Sequence, residues 1–253
     1  MSFSPSFAGK TFVISDSDAR IRNPTNLTQL TTDVIPQGSQ VLVNDVKTLP
    51  TGSKTRVVFA NVSAPGGKAW GWTSTRNFDG KFINETIGFL PSSNDTAQTG
   101  RNAAWSNGEF RGLVDLVEIM DNGLEVERMT LSTLAPYLDM VANAKAAGVH
   151  VAIVSGFRSF PEQSLLFDGF RQGLPGFNLA ARPGFSNHQN GIALDIDVGG
   201  SKDTAIYKWL CANATSFGFV RTVNGEPWHW EFDPAKAAAA KARGVCTTPD
   251  VGN

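Results

Sequence analysis

The spacing of apolar and polar positions changes period partway along the chain. From about Thr11 to Phe89 apolar residues come in short alternating runs broken by turn residues, and no helical period survives. QVLVNDV (Gln40–Val46), TRVVFANV (Thr55–Val62) and AWGWTST (Ala69–Thr75) read as strands, separated by Pro50-Thr-Gly52 and Pro65-Gly-Gly67. Residues 91–109, PSSNDTAQTGRNAAWSNGE, are small and polar and read as a linker. From about Phe110 helical spacing takes over. In the stretch from Met129 to Ala147, Leu131, Leu134, Leu138, Val141 and Ala144 or Lys145 recur at that spacing, with Gly148 as the C-cap. Pro136 sets the start of this helix near Ser132, with the proline in its first turn. Val149–Ser155 reads as a buried strand, Phe160–Gln172 and Tyr207–Phe217 as helices, and IALDID and WHWEF as strands. The expected fold is α+β: helices packed on an antiparallel sheet over 110–253, preceded by a small all-β domain over 1–90.

Composition narrows the function without naming it. A chain of 253 residues fits one large or two smaller domains, and 41% hydrophobic with 18% charged residues is ordinary for a globular protein. The formal net charge of −1 leaves no electrostatic footprint for nucleic acid or an anionic membrane. No apolar run approaches the roughly 20 residues that span a bilayer, and MSFSPSFAGKTFVISD lacks the basic and apolar regions of a secretory signal. Cys211 and Cys246 are the only cysteines, which excludes a cysteine-rich zinc knuckle. A disulfide tying down the C-terminal segment and a pair of buried thiols fit them equally well.

Two segments carry the candidate chemistry. In SNHQNGIALDID (Ser186–Asp197), Asn190-Gly191 marks a turn, after which Ile192, Leu194 and Ile196 share one strand face and Ala193, Asp195 and Asp197 the other. The apolar face belongs in a core, so the aspartate face must meet water, a cation or hydrogen-bond donors. In EPWHWEFD (Glu226–Asp233), Trp228, Trp230 and Phe232 alternate with His229, Glu231 and Asp233. His188 and His229 lie in these segments beside carboxylates, whereas His150 in VHVAIVS reads as a structural strand residue. Two histidines and an aspartate meet the need of a catalytic zinc for three protein ligands and an open position, and a nearby carboxylate could act as general base. Solvated strand faces would show the same spacing, so both readings stand at this point. Asp197 and Glu231 read as supporting or solvated groups rather than ligands. Gly184-Phe-Ser186-Asn-His188 is not a nucleophile elbow, so Ser186 reads as a polar support. Arg158, in SGFRS at a strand end, could grip a carboxylate or an oxyanion, or could pair at the surface with Glu162 or Asp168.

Taken together, SGFRSFPEQ, SNHQNGIALD and EPWH resemble the ordered motifs SGxRSxxxQ, SxHxxGxAxD and ExWH of the zinc D-alanyl-D-alanine carboxypeptidases of the vancomycin-resistance type, in the lysostaphin/D-Ala-D-Ala metallopeptidase/hedgehog fold group. The resemblance covers roughly residues 110–235. It implies a zinc-dependent peptidoglycan peptidase, with Zn²⁺ bound by His188, Asp195 and His229. Glu226 would be the base and then the proton donor, Arg158 would steady the scissile carbonyl or a substrate carboxylate, and Ser186 and Gln163 would help position substrate. The EPWH form looks like the carboxypeptidase branch. A lytic endopeptidase with the same site is the alternative, followed by a non-catalytic, zinc-containing wall-binding protein. An intact Glu226 argues against the last, because a structural zinc needs no base. ARIRNP, IPQGSQVLV and WGWTSTRNF look like elements of a bacterial SH3-like domain, a class that commonly binds cell-wall peptides. The implied partner is the peptidoglycan stem peptide, met by an extracytoplasmic monomer without nucleic acid or a membrane span.

Overall fold

A computed structural model describes residues 9, 11–14, 17–51, 55–78, 85–121 and 125–251. The chain divides into two compact units, Met1–Gly88 with Met120–Val126, and Phe89–Ile119 with Glu127–Asn253.

The first unit is built of β-strands, with one short 3-10 turn at Thr75–Asn77, among its described residues. Its strands are β1 (Thr11–Val13), β2 (Ala19–Asn23), β3 (Asn26–Ile35), β4 (Gln40–Thr51), β5 (Thr55–Ser63) and β6 (Ala69–Ser74). They form one antiparallel sheet in the order β1-β4-β5-β6-β2-β3. Alternation explains the core: Val41, Val43, Ala60 and Val62 turn to one side, where they meet Phe12, Ile14, Ile35 and Phe78. Strand β4 runs past the expected end at Val46, because Lys47 to Thr51 continue to pair with β5 as far as Thr51 opposite Thr55. Gly52 lies outside the described residues.

The next elements are β7 (Glu85–Leu90), β8 (Ala103–Ser106), β9 (Glu109–Leu113), β10 (Leu116–Asp121) and β11 (Glu125–Thr130). Residues 91–109 therefore differ from the expected linker. Strand β8 pairs with β9 through a turn at Asn107 and Gly108, both with positive φ. Asn102 is fully buried and donates through Nδ2 to the carbonyls of Leu90 and Val114, each at 2.8 Å. The small polar composition that resembled a linker is that of a turn-rich segment with its own packing.

The rest of the second unit comprises α1 (Leu131–Ala146), β12 (Ile153–Ser155), α2 (Phe160–Arg171), β13 (Ala193–Ile196), α3 (Ala205–Asn213), β14 (Phe219–Val220), β15 (His229–Phe232) and α4 (Pro234–Ala242). Helix α1 starts at Leu131, so Pro136 falls beyond the first turn. Its buried stripe, Thr133, Tyr137, Met140, Val141 and Ala144, is rotated from the expected one: Val141 and Ala144 belong to both, Leu134 and Leu138 pack partly buried against the core, and Leu131 is half exposed. The polar start decides this rotation: Thr133 Oγ1 is within hydrogen-bond distance of Thr130 Oγ1 at 2.9 Å, inside the unit. Strand β12 is shorter than expected; Val151 and Ala152 are buried but precede the ladder.

The central sheet has the order β12-β13-β15-β14 and is antiparallel throughout. One face carries Leu194, Ile196 and Trp230 into a core with Tyr137, Met140, Leu210 and Phe219. Trp230 is fully buried, and its indole N–H donates to Pro227 O at 3.1 Å. A Cys211–Cys246 disulfide joins α3 to the segment after α4, deciding between the two readings of the cysteines.

Helix α2 opens with a capping box: Glu162 Oε2 accepts from Ser159 N at 2.8 Å and from Ser159 Oγ at 2.7 Å. The same carboxylate accepts from Arg128 Nη2 at 2.6 Å. Burial opposes its charge, but the Arg128 cation and these hydrogen bonds outweigh burial and lower its pKa to about 2. A depressed folded-state pKa stabilises the fold above the ordinary carboxylate range and loses that effect as pH falls from there towards 2. The stability gap between wild type and Glu162→Gln, followed by urea unfolding, is therefore expected to be full at pH 7 and to close below about pH 4.5. Trp230→Ala, by emptying the core beneath the sheet, is expected to cost about 3–5 kcal/mol in the same assay.

Candidate metal centre

The polar face of the central sheet holds a row of three residues. Ser155 of β12 stands opposite Asp195 of β13, and Asp195 stands opposite His229 of β15. Directly opposed residues in an antiparallel pair lie about 5 Å apart, so the register alone brings aspartate and histidine together. Because side chains alternate, the residues that send Leu194 and Trp230 into the core send Asp195 and His229 to the other face.

His188 reaches the same point from a short 3-10 turn, Asn187–Asn190. Ser186 caps that turn, its Oγ accepting from His188 N at 3.3 Å, and Gly191 closes it in the left-handed region with φ 83°. His188 Nε2 lies 3.2 Å from Asp195 Oδ1, and His229 Nδ1 lies 3.1 Å from the same oxygen. The three candidate ligand atoms lie within 4.8 Å of one another, and all three residues are buried. The imidazole rings meet edge to face, centroids 5.0 Å apart.

The outer contacts are as ordered as the inner ones. His188 Nδ1 is 2.9 Å from Gly156 O. Gly156 must be glycine, since a Cβ there would stand 2.1 Å from Arg128 O. Arg158, on the chain just after β12, donates through Nε to Ser155 Oγ at 3.0 Å, through Nη1 to Gln163 Oε1 at 3.1 Å and through Nη2 to Asp195 Oδ2 at 3.2 Å. Its charge is thus spent inward, and Glu162 pairs with Arg128 instead. Gln163 is fully buried, with Nε2 donating to Ala181 O at 2.6 Å, so both ends of its amide are engaged by protein. It holds the Arg158 guanidinium through Oε1. Glu226, partly exposed on the loop before β15, places Oε2 3.9 Å from His229 Nδ1. Asp197 lies beyond the strand end, exposed, with Oδ1 accepting from Gly199 N at 3.0 Å.

The electrostatics suit a cation. Burial, reinforced by the Arg158 charge, lowers His188 to about 4, which keeps its imidazole neutral at pH 7. Burial also opposes the charge on Asp195, but His188, His229 and Arg158 together hold its carboxyl well below the usual range. For His229 burial is outweighed by hydrogen bonds to Asp195 and Glu231, which raise it to about 9. Two imidazole nitrogens and a carboxylate oxygen, converging at one buried point, are a donor set that fits zinc. Sequence spacing does not show Thr222, Gly156 O and Asn187 as members of the surrounding network, because a backbone carbonyl leaves no compositional trace and Thr222 lies on a separate loop.

Residues 127–235 match the VanY family model, described as D-alanyl-D-alanine carboxypeptidase. A D-alanyl-D-alanine carboxypeptidase of Enterococcus faecalis is 32% identical over 147 residues, covering 48% of this chain and 53% of the relative. A protein of the same description from Enterococcus faecium is 33% identical over 109 residues, covering 37% and 33% of the two chains. This chain thus spans about half the length, or less, of these curated relatives. Among solved structures, VanYB in complex with D-Alanine-D-Alanine is 25% identical with a TM-score of 0.46, over 56% of this chain and 92% of that one. A vancomycin resistance D,D-pentapeptidase VanY mutant in complex with Zn(II) is 25% identical with a TM-score of 0.42, over 58% and 93%.

Gly156→Ala is expected to displace the carbonyl that orients His188, to cost about 1–3 kcal/mol of stability through overpacking, and to weaken metal retention. Denaturant unfolding and metal content after dialysis check both effects.

Proposed function

We propose that the chain is a zinc-dependent peptidoglycan peptidase that removes the terminal D-alanine of stem peptides, a reading supported by the match of residues 127–235 to the VanY D-alanyl-D-alanine carboxypeptidase family model. The observation that carries the reading is the convergence of His188, Asp195 and His229 at one buried point, with Glu226 at its open side. His188 and His229 would each offer one ring nitrogen, and Asp195 a carboxylate oxygen, to the metal. Zinc held there supplies Lewis acidity towards a scissile carbonyl and lowers the pKa of a water towards ~7.

Glu226 is the group placed to take a proton from the attacking water and to return it to the leaving amine. It can do so because it is the carboxylate at the site that neither Arg158 nor the opposed strands immobilise, and it remains open to solvent. Arg158 has five N–H donors, of which the bonds to Ser155, Gln163 and Asp195 engage three. The remaining donors would hold a substrate carboxylate or a developing oxyanion. Gln163 fixes that guanidinium, and Ser186 fixes the turn that carries His188. The disulfide between Cys211 and Cys246 supports an oxidising, extracytoplasmic setting. Among the described residues no helix is long and apolar enough to cross a membrane. The N-terminal sheet would serve as an SH3-like module that holds the enzyme on its wall substrate.

The test is to incubate the zinc-loaded protein with a muropeptide ending in D-Ala-D-Ala and weigh the products. Loss of one alanine, abolished by a chelator and restored by zinc, is the expected result; cleavage deeper in the stem would instead make it an endopeptidase with the same site. Glu226→Ala is expected to keep its zinc while turnover falls by at least about 10²-fold, the contribution typical of a positioned acid–base group. Substantial activity in that variant would remove Glu226 from the chemistry.

A further inference from the structure

We propose that Glu231 fixes the tautomer of His229, keeping the proton on Nε2 so that the Nδ1 lone pair faces the metal; this rests on the reading of His188, Asp195 and His229 as the zinc ligands. The two ring nitrogens of His229 have different neighbours. Nδ1 lies 3.1 Å from Asp195 Oδ1 and 3.9 Å from Glu226 Oε2, on the side where the ligands converge. Nε2 lies on the other side, 3.2 Å from Glu231 Oε1. An ionised carboxylate can only accept, so this contact is a hydrogen bond only when Nε2 carries the proton. A neutral imidazole protonated there has its lone pair at Nδ1.

His188 is set in the mirror sense by the same logic. Gly156 O, also an acceptor only, lies 2.9 Å from Nδ1, which leaves Nε2 for the metal side. The two histidines therefore present opposite nitrogens to one centre, each fixed by an outward acceptor, one a backbone carbonyl and the other the Glu231 carboxylate. Such outer partners orient ligands and raise their basicity.

Glu231 is itself held for this task. It is buried and lies on β15 two residues beyond His229, so strand alternation puts both side chains on one face. Thr222 Oγ1 donates to Oε1 at 2.6 Å, and Asn187 Nδ2 donates to the same oxygen. These donors offset the burial of the charge. Asn187 neighbours His188, so the carboxylate also links the turn bearing one ligand to the strand bearing another. Glu231 acts through His229 and is a positioning residue.

Side-chain ¹⁵N NMR of the zinc-loaded wild-type protein tests this, together with zinc affinity measured by competition with a chromophoric chelator. The expected spectrum shows His229 protonated at Nε2 and His188 protonated at Nδ1. Glu231→Ala is expected to bind zinc about 10- to 100-fold more weakly, and Glu231→Gln, whose amide oxygen still accepts, to lose less. A proton on His229 Nδ1, or wild-type affinity in Glu231→Ala, would overturn the proposal. His229→Ala separates this failure from that of the parent reading. If it binds zinc as tightly as wild type, the ligand assignment is wrong. If it loses zinc while Glu231→Ala keeps it, only the role of Glu231 is wrong. Should Glu231→Ala not fold, the wild-type spectrum and the Glu231→Gln affinity still decide.

Discussion

Everything at the candidate centre depends on one buried carboxylate on which two imidazoles and a guanidinium converge. Asp195 faces His188 and His229 through one oxygen and Arg158 through the other. A buried carboxylate is stable only where its charge is answered, and answering it requires three separate chain segments to arrive together. The strand register supplies His229, the capped turn supplies His188, and the short link after β12 supplies Arg158. The core side of the same strands then has a second function. Packing Leu194 and Trp230 between α1 and α3 locks the register that sets the polar face.

This arrangement explains why the supporting groups are as buried as the ligands. Gln163 spends both ends of its amide on protein partners, and Glu162 is drawn away from Arg158 by Arg128. Arg158 is left with its charge directed at Asp195. Glu226 differs from the rest in sitting on a loop, partly in solvent. Strands and a capped turn hold the three candidate ligands, and a loop holds Glu226.

The site was largely legible in the sequence because strand alternation writes burial directly into residue order. IALDID and WHWEF show both faces, and two of the chain's three histidines mark them. Helix α2, expected over Phe160–Gln172, is observed over Phe160–Arg171. Less was visible where tertiary contacts override local pattern. The leucine spacing of α1 pointed to a stripe that the structure rotates towards Thr133 and Tyr137, because buried hydroxyl partners hold the first turn. The segment 91–109 looked like a linker because turns and linkers share a composition, and only the buried Asn102 reveals its packing. The burial of Gln163 likewise depends on Ala181, which no local pattern connects to it.

The central claim, that these residues form a zinc centre, is tested most directly by anomalous diffraction at the zinc edge from crystals of the zinc-loaded protein. The account predicts one strong peak about 2.0–2.2 Å from His188 Nε2, His229 Nδ1 and an oxygen of Asp195, with Glu226 nearby but outside the ligand set. A peak elsewhere on the molecule, or none at these three residues, would contradict it.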